Sequence, residues 1–246
     1  MRLPLVTSHA ACKGHAPENT LAGIERAMAL GADAIEIDVH CTADRVPVLL
    51  HDETVDRTTD GSGNVHEMTL DAVRTLDAGA RQFAPRFAGA RVPTLAEVLD
   101  LTKGKVLLQI EVKQTGIEHE VADAVRAADA IASCEVHSFY PQVVERMRNV
   151  EPRMAAALLT DARRIVDWDD FFGFVLSLDA QGVSVHYAAA TPEVVRRGQR
   201  RSLTFMTWTV DDEPDIERMI DAGVDSICSN LPDAVRRAVD AAARRR

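Results

Sequence analysis

The sequence predicts an α/β fold, a (β/α)8 TIM barrel with a small inserted cap segment after its third strand, and three observations lead there. Short β-rich runs alternate with longer helical patterns along the chain, and such alternation implies a parallel sheet wrapped by helices. The number of repeats suits a closed barrel. The length, 246 residues, allows one large core, so a single domain over residues 1–246 is expected. A doubly wound open sheet is the competing arrangement.

Taken in order, the expected strands are LVTSH (5–9), AIEIDVH (34–40), VPVLLH (46–51), KVLLQIEVK (105–113), EVHSF (135–139), MAAALL (154–159), GVSVHY (182–187), LTFMTWTV (203–210) and DSICS (225–229). Helices are expected near 19–30, 69–77, 94–102, 117–132, 141–149, 161–172, 191–200, 213–222 and 231–245. In the first, Leu21, Ile24 and Met28 recur at helical spacing behind Asn19-Thr20, residues that can cap free N–H groups. Nine strands is one too many for the barrel. The link CTADR between the second and third is too short for the crossover that parallel neighbours need. One of those two runs is therefore expected as a hairpin-like excursion at the rim. Residues 52–93 break the rhythm with polar, Gly-rich and Pro-rich sequence, and an insertion of that length in a compact barrel is usually a functional cap.

Composition narrows the function classes. The net charge of −10 opposes binding to nucleic acid or to an anionic membrane surface, so neither is expected as a partner. The four cysteines, Cys12, Cys41, Cys134 and Cys228, never form a CxxC pair, which suits reduced thiols and a cytoplasmic location. No apolar run reaches the length of a signal-peptide core or a membrane span. Oligomeric state leaves no mark on the sequence.

Polar residues concentrate where expected strands end, and in this fold those ends converge on one face. The first strand ends in His9. Glu36 and Asp38 alternate with Ile35, Ile37 and Val39, so both carboxylates project to one side of the second strand. The third run ends in His51, and the fourth carries Glu111 and Lys113, again two residues apart. Three carboxylates aimed into one mouth repel each other unless a cation intervenes. An all-oxygen set suits one divalent cation, Mg²⁺ or Ca²⁺, rather than zinc. A hard cation flanked by two histidines and a lysine makes a coherent phosphate-ester site. Each residue alone has an ordinary structural reading, and it is their joint placement that points to chemistry. The other histidines read as structural, His137 the least securely.

With these residues placed, the sequence resembles the glycerophosphodiester phosphodiesterase family. The matching stretches are His9 with GHAPENTLAGI, LGADAIEIDVHCTADRVPVLLHDETVDRTTDGSG, VPTLAEVL, IEVK, HSFYP and WTVDDEPDIERMIDAGVDSICSNLPD, in family order from residue 9 to 233. The resemblance implies a (β/α)8 barrel that hydrolyses deacylated phospholipids to an alcohol and glycerol 3-phosphate. It implies His9 and His51 as the catalytic pair, Glu36, Asp38 and Glu111 as metal carboxylates, and Lys113 as a phosphate contact. Trp208 matches a tryptophan near the substrate pocket, and Phe139 is a further candidate for its wall. Residues after His51 align with the family's small cap.

The sequence departs from that pattern in three places. Relatives usually have arginine and glycine after the first histidine, where this chain has Ala10 and Ala11. The arginine is expected to bind phosphate through a charge-assisted pair worth roughly 1.5–3 kcal/mol per bond, so its loss is expected to weaken binding or rate. Lys13 is the nearest substitute, though a point charge, and Arg81, Arg86 or Arg91 of the cap are alternatives. WTVDD has Asp211 where asparagine is common, and SICSN replaces the usual threonine-aspartate. The leading expectation is metal-dependent hydrolysis of a small-molecule glycerophosphodiester such as glycerophosphocholine or glycerophosphoethanolamine. The alternatives keep the site but act on a lysophospholipid or glycerophosphoinositol, or bind a phosphate ligand with little turnover.

Overall fold

The computed structural model describes residues 3–163 and 165–245. Eight parallel strands form a closed barrel: β1 Leu5–Ser8, β2 Ala34–Cys41, β4 Leu107–Val112, β5 Cys134–Ser138, β6 Ala155–Thr160, β7 Gly182–His186, β8 Thr204–Trp208 and β9 Ser226–Ser229. Each pairs with the next in sequence, and β1 closes the ring by pairing with both β9 and β2. The ninth strand, β3 Pro47–Leu49, lies antiparallel on β2, with Val39 opposite Leu49. It is the expected rim hairpin, because a link as short as CTADR can only reverse the chain.

Helices α1 Leu21–Ala29, α2 Leu70–Val73, α3 Leu95–Thr102, α4 Glu118–Ala127, α5 Pro141–Val150, α6 Trp168–Ser177, α7 Pro192–Gln199, α8 Glu213–Ala222 and α9 Pro232–Arg244 complete the alternation. Their starts follow capping chemistry. Thr94 and Glu97 form a reciprocal capping box on α3, and the Thr191 hydroxyl accepts from Val194 N–H ahead of Pro192. Gly223 ends α8 in the left-handed region at φ 80°.

Two helix expectations need correcting. The helix expected at 161–172 begins only at Trp168, because the Asp167 carboxylate caps Asp169 and Asp170 N–H. Upstream, Thr160 and Asp161 turn the chain through bonds to the N–H groups of Ala162 and Arg163, and residue 164 lies outside the described residues. The helix expected at 69–77 shrinks to the single turn of α2.

Two apolar clusters fill the space between barrel and helices, one holding Ile35, Ile37, Val39 and Ile110, the other Phe172, Phe205, Val183 and Ile227. The inserted segment has a separate small cluster, Val55, Val65, Val73, Ala78 and Val92, packed with Val48 and Leu50. The four cysteines are free and buried. Among the described residues, no helix is long and apolar enough to cross a membrane.

Candidate active site

Strand register assembles the acidic cluster. Glu36 and Asp38 face the barrel interior, because their apolar neighbours on β2 face the helices. Parallel pairing sets Asp38 beside Glu111 and Glu36 beside Gln109. One ligand atom from each of Glu36, Asp38 and Glu111 then lies within 4.8 Å of the others. Burial pushes the Glu36 carboxyl well above its ordinary value, and the Asp38 and Glu111 charges push it further. Glu111 is raised for the same reasons, burial first and then Asp38. Lys113 offsets part of this repulsion, its Nζ standing 2.7 Å from Glu111 Oε1 and 3.4 Å from Asp38 Oδ1.

Glu36 Oε1 is buried with no polar partner, and Asp38 Oδ1 is buried with no hydrogen bond beyond the 3.4 Å ion pair to Lys113. Buried carboxylate oxygens so poorly compensated are costly, and a hard divalent cation is the group that a cluster of three carboxylates fits. The remaining oxygens are held: Ala10 N–H donates to Glu36 Oε2 (2.7 Å) and Asn19 Nδ2 to Asp38 Oδ2 (2.7 Å). Asp38 N–H also donates to Asn19 Oδ1. Of the two residues expected to cap α1, Thr20 alone caps it, through Gly23 N–H, while Asn19 brackets Asp38.

A cavity of about 180 Å³ opens over this cluster. His9, His51, Glu36, Glu111, Lys113, Phe139 and Trp208 line it, so the histidines, two carboxylates, the lysine and both aromatic candidates meet there. Gln109, His137, Ser184 and Cys228 add lining that sequence reasoning did not assign to it; their inward register on the strands was the available signal. Trp208 is fixed by its indole N–H to Ser184 O and by edge contacts with Phe139 and His186, both at 5.5 Å.

Each histidine has a different partner. His51 Nδ1 is 2.6 Å from Asp52 Oδ1, and Arg57 donates to Asp52 through Nε (2.6 Å) and to Glu18 through both terminal nitrogens. Arg57 and His51 hold the Asp52 carboxyl down to about 2. Glu18 is buried, yet Arg57, Gln82 and Lys13 pull its carboxyl down to about 2 against that burial. His9 Nδ1 instead meets the Asn230 amide at 2.8 Å. Asp52, Arg57, Glu18 and Asn230 were not picked out from the sequence as site residues, although HDETVDRTT and PENT contain three of the four motif-borne ones. Arg57→Gln should leave Asp52 unclamped and Glu18 short of a cation. A kcat loss of roughly 10- to 100-fold is expected in steady-state assays, by analogy with other residues that orient catalytic side chains.

The loop from His9 to Thr20 sets where Ala10, Ala11 and Lys13 lie. Ala10 and Ala11 sit at φ 44° and 67°, in a region that costs a non-glycine residue roughly 1–2 kcal/mol. Bonds from their N–H groups to Glu36 hold them there. The loop turns Lys13 away, so that its ammonium rests 3.1 Å from Glu18 Oε2 and does not line the cavity. Arg81 donates to Thr59 O, Arg86 lies against the Phe87 ring, and Arg91 borders a separate cleft with Thr20 and Glu97. Among the described residues lining the cavity, Lys113 is the one lysine or arginine. A methyl group at Gly14 would collide with Asn230 O. Gly14→Ala should therefore displace Asn230, destabilise the fold by about 1–3 kcal/mol, and lower kcat through His9; melting curves and initial rates check both.

A (β/α)8 barrel whose strand ends gather these groups defines the class as a phosphoric diester hydrolase. The chain belongs to the glycerophosphoryl diester phosphodiesterase family, whose model matches residues 9–234. It is 37% identical over 237 residues to the glycerophosphodiester phosphodiesterase of Caldanaerobacter subterraneus subsp. tengcongensis, covering 94% of this chain and 96% of that one. A glycerophosphodiester phosphodiesterase structure from Agrobacterium tumefaciens superposes with a TM-score of 0.86 at 29% identity, covering 96% of this chain and 100% of that one. An Oleispira antarctica phosphodiesterase, solved in complex with the product sn-glycerol-3-phosphate, gives a TM-score of 0.86 at 26% identity over 97% of each chain.

Proposed function

We propose that the protein hydrolyses glycerophosphodiesters such as glycerophosphocholine or glycerophosphoethanolamine to the alcohol and glycerol 3-phosphate, with a divalent cation, Mg²⁺ or Ca²⁺. The observation that carries this is the buried carboxylate triad of Glu36, Asp38 and Glu111, with Glu36 Oε1 unpartnered, under a cavity flanked by two histidines. Glu36, Asp38 and Glu111 would hold the cation, which when bound supplies a positive charge beside the phosphoryl oxygens. Lys113 adds a fixed ammonium at the same edge and keeps its proton, since Asp38 and Glu111 raise its basicity against the effect of burial. His9 and His51 share the proton traffic. One takes a proton from the attacking water as its oxygen bonds to phosphorus, and the other delivers a proton to the alkoxide as its bond to phosphorus breaks. Phe139 and Trp208 form an apolar wall that excludes water from one side. The inserted segment at 52–93 acts as a cap, held over the mouth by Arg57 and Gln82 on Glu18. Lys13 serves that anchorage and not the phosphate. Release of glycerol 3-phosphate from a panel of glycerophosphodiesters in Mg²⁺ or Ca²⁺ tests the reading, and no turnover across the panel overturns it.

A second reading, the same chemistry on a bulkier diester such as a lysophospholipid or glycerophosphoinositol, has one observation in its favour. A further cavity of about 500 Å³, lined by Asp161, Arg163, His186, Trp208 and three alanines, shares Trp208 with the first. Phe139, Tyr140 and Val166, on loops of the same barrel face, are exposed. Faster release of alcohol from those substrates than from glycerophosphocholine would favour it.

A further inference from the structure

The two departures at the end of the sequence meet in space. Asp211, in the loop after β8, accepts three hydrogen bonds from the end of β9 and the residue that follows it: Ser229 Oγ (2.8 Å), Asn230 N–H (2.8 Å) and Asn230 Nδ2 (2.7 Å). Ser229 Oγ in turn accepts from Leu231 N–H, which holds the turn closed. On its other side, Asn230 Oδ1 is 2.8 Å from His9 Nδ1.

We infer that Asp211 and Asn230 form a positioning pair that locks His9 in a single tautomer, with the proton on Nδ1 and the lone pair on Nε2. The chemistry of the donors leaves one arrangement. A carboxylate only accepts, so the face of the Asn230 amide turned to Asp211 must be its NH₂ group. A flipped amide would set oxygen against oxygen at the same distance. The amide oxygen therefore faces His9, and an oxygen can satisfy Nδ1 only if Nδ1 carries a hydrogen. In the neutral ring Nε2, 3.9 Å from Glu36 Oε2 on the cavity side, is then the acceptor. His51 has its Nδ1 against a carboxylate, whereas the charge behind His9 is one residue removed and its immediate partner is neutral. The aspartate acts on His9 through the asparagine and touches no substrate, so both are positioning residues.

The inference rests on the reading of His9 as a proton-transfer residue for its effect on rate, but the tautomer itself is read without substrate. Nitrogen-15 NMR of the full protein labelled at histidine should show His9 protonated at Nδ1. Asp211→Asn frees the amide to turn and should mix the two tautomers. It should lower kcat more than KM, by between about 10-fold and the roughly 10⁴-fold loss that accompanies a catalytic histidine held in the wrong tautomer. The exchanged double variant, Asp211→Asn with Asn230→Asp, again presents His9 with an oxygen and should recover both the Nδ1–H signal and most of kcat. Unmodified protein with His9 protonated at Nε2 overturns the inference, as does Asp211→Asn with unchanged tautomer and kcat. If Asp211→Asn fails to fold, the spectrum of the unmodified protein decides alone. A protein that turned over no glycerophosphodiester would still report the tautomer, so the two failures are distinguishable.

Discussion

His51→Ala is expected to lower kcat by about 10²–10⁴-fold, the range lost when a general acid or base is removed, with little effect on thermal stability. His51 is about half-buried at the cavity edge and makes one side-chain bond, to Asp52, so its removal leaves no orphaned buried group. His9→Ala should cost a similar factor. It should also leave Asn230 Oδ1 without its partner, and so lower the melting temperature slightly. The double variant should be no slower than the worse single variant by more than a small factor, because residues acting as one unit are not additive. Progress curves for the three variants beside the unmodified enzyme check this. A single histidine variant retaining most of its kcat would remove that residue from the proton traffic.

The carboxylate cluster carries the second large effect. Saturation with Mg²⁺ or Ca²⁺ at about 100 times Kd should stabilise the fold by about 2.7 kcal/mol, a rise of roughly 5–10 °C in Tm for a chain of this size. Glu36→Gln should abolish that rise and most of the activity, yet melt higher than the unmodified protein in chelator, because it removes one of three mutually repelling charges. The pH dependence has a definite sign. Glu36 and Glu111 have native values raised above the ordinary 4.5, so the folded state holds their protons more tightly than the unfolded state does. Cation-free stability from this source is full below about pH 4.5 and is lost as pH rises through the raised values. Bound cation should flatten that fall, since it favours the ionised form. Scanning calorimetry in chelator and in cation across pH reads both slopes. A cation-free protein whose stability rose over that window would contradict the account of the cluster.

Much of the site was legible because its information is local. Alternation in AIEIDVH puts Glu36 and Asp38 on one side of a strand whatever the strand pairs with, and IEVK does the same for Glu111 and Lys113. The tight link CTADR compels the hairpin of β2 and β3. The helix at 161–172 was misplaced because its apolar spacing extends upstream, while the start is set by which side chain reaches free N–H groups; Asp167 does. Lys13 looked like a phosphate ligand from its nearness to His9 along the chain. The left-handed turn at Ala10 and Ala11 and the pull of buried Glu18 place it elsewhere.

The sequence by itself determined the barrel, the ring of acidic and basic groups at its mouth, and the family, because strand periodicity and motif order survive any detail of packing. Only the tertiary structure decided what holds each of those groups. His9 and Asn230 are 221 residues apart, and Glu18 and Gln82 are 64 apart. Closing the barrel brings β1 against β9 and sets the inserted segment on the first loop, and no local pattern records such contacts. The orientation of a ring or an amide depends on the donor or acceptor facing it, and that neighbour exists only once the chain has closed.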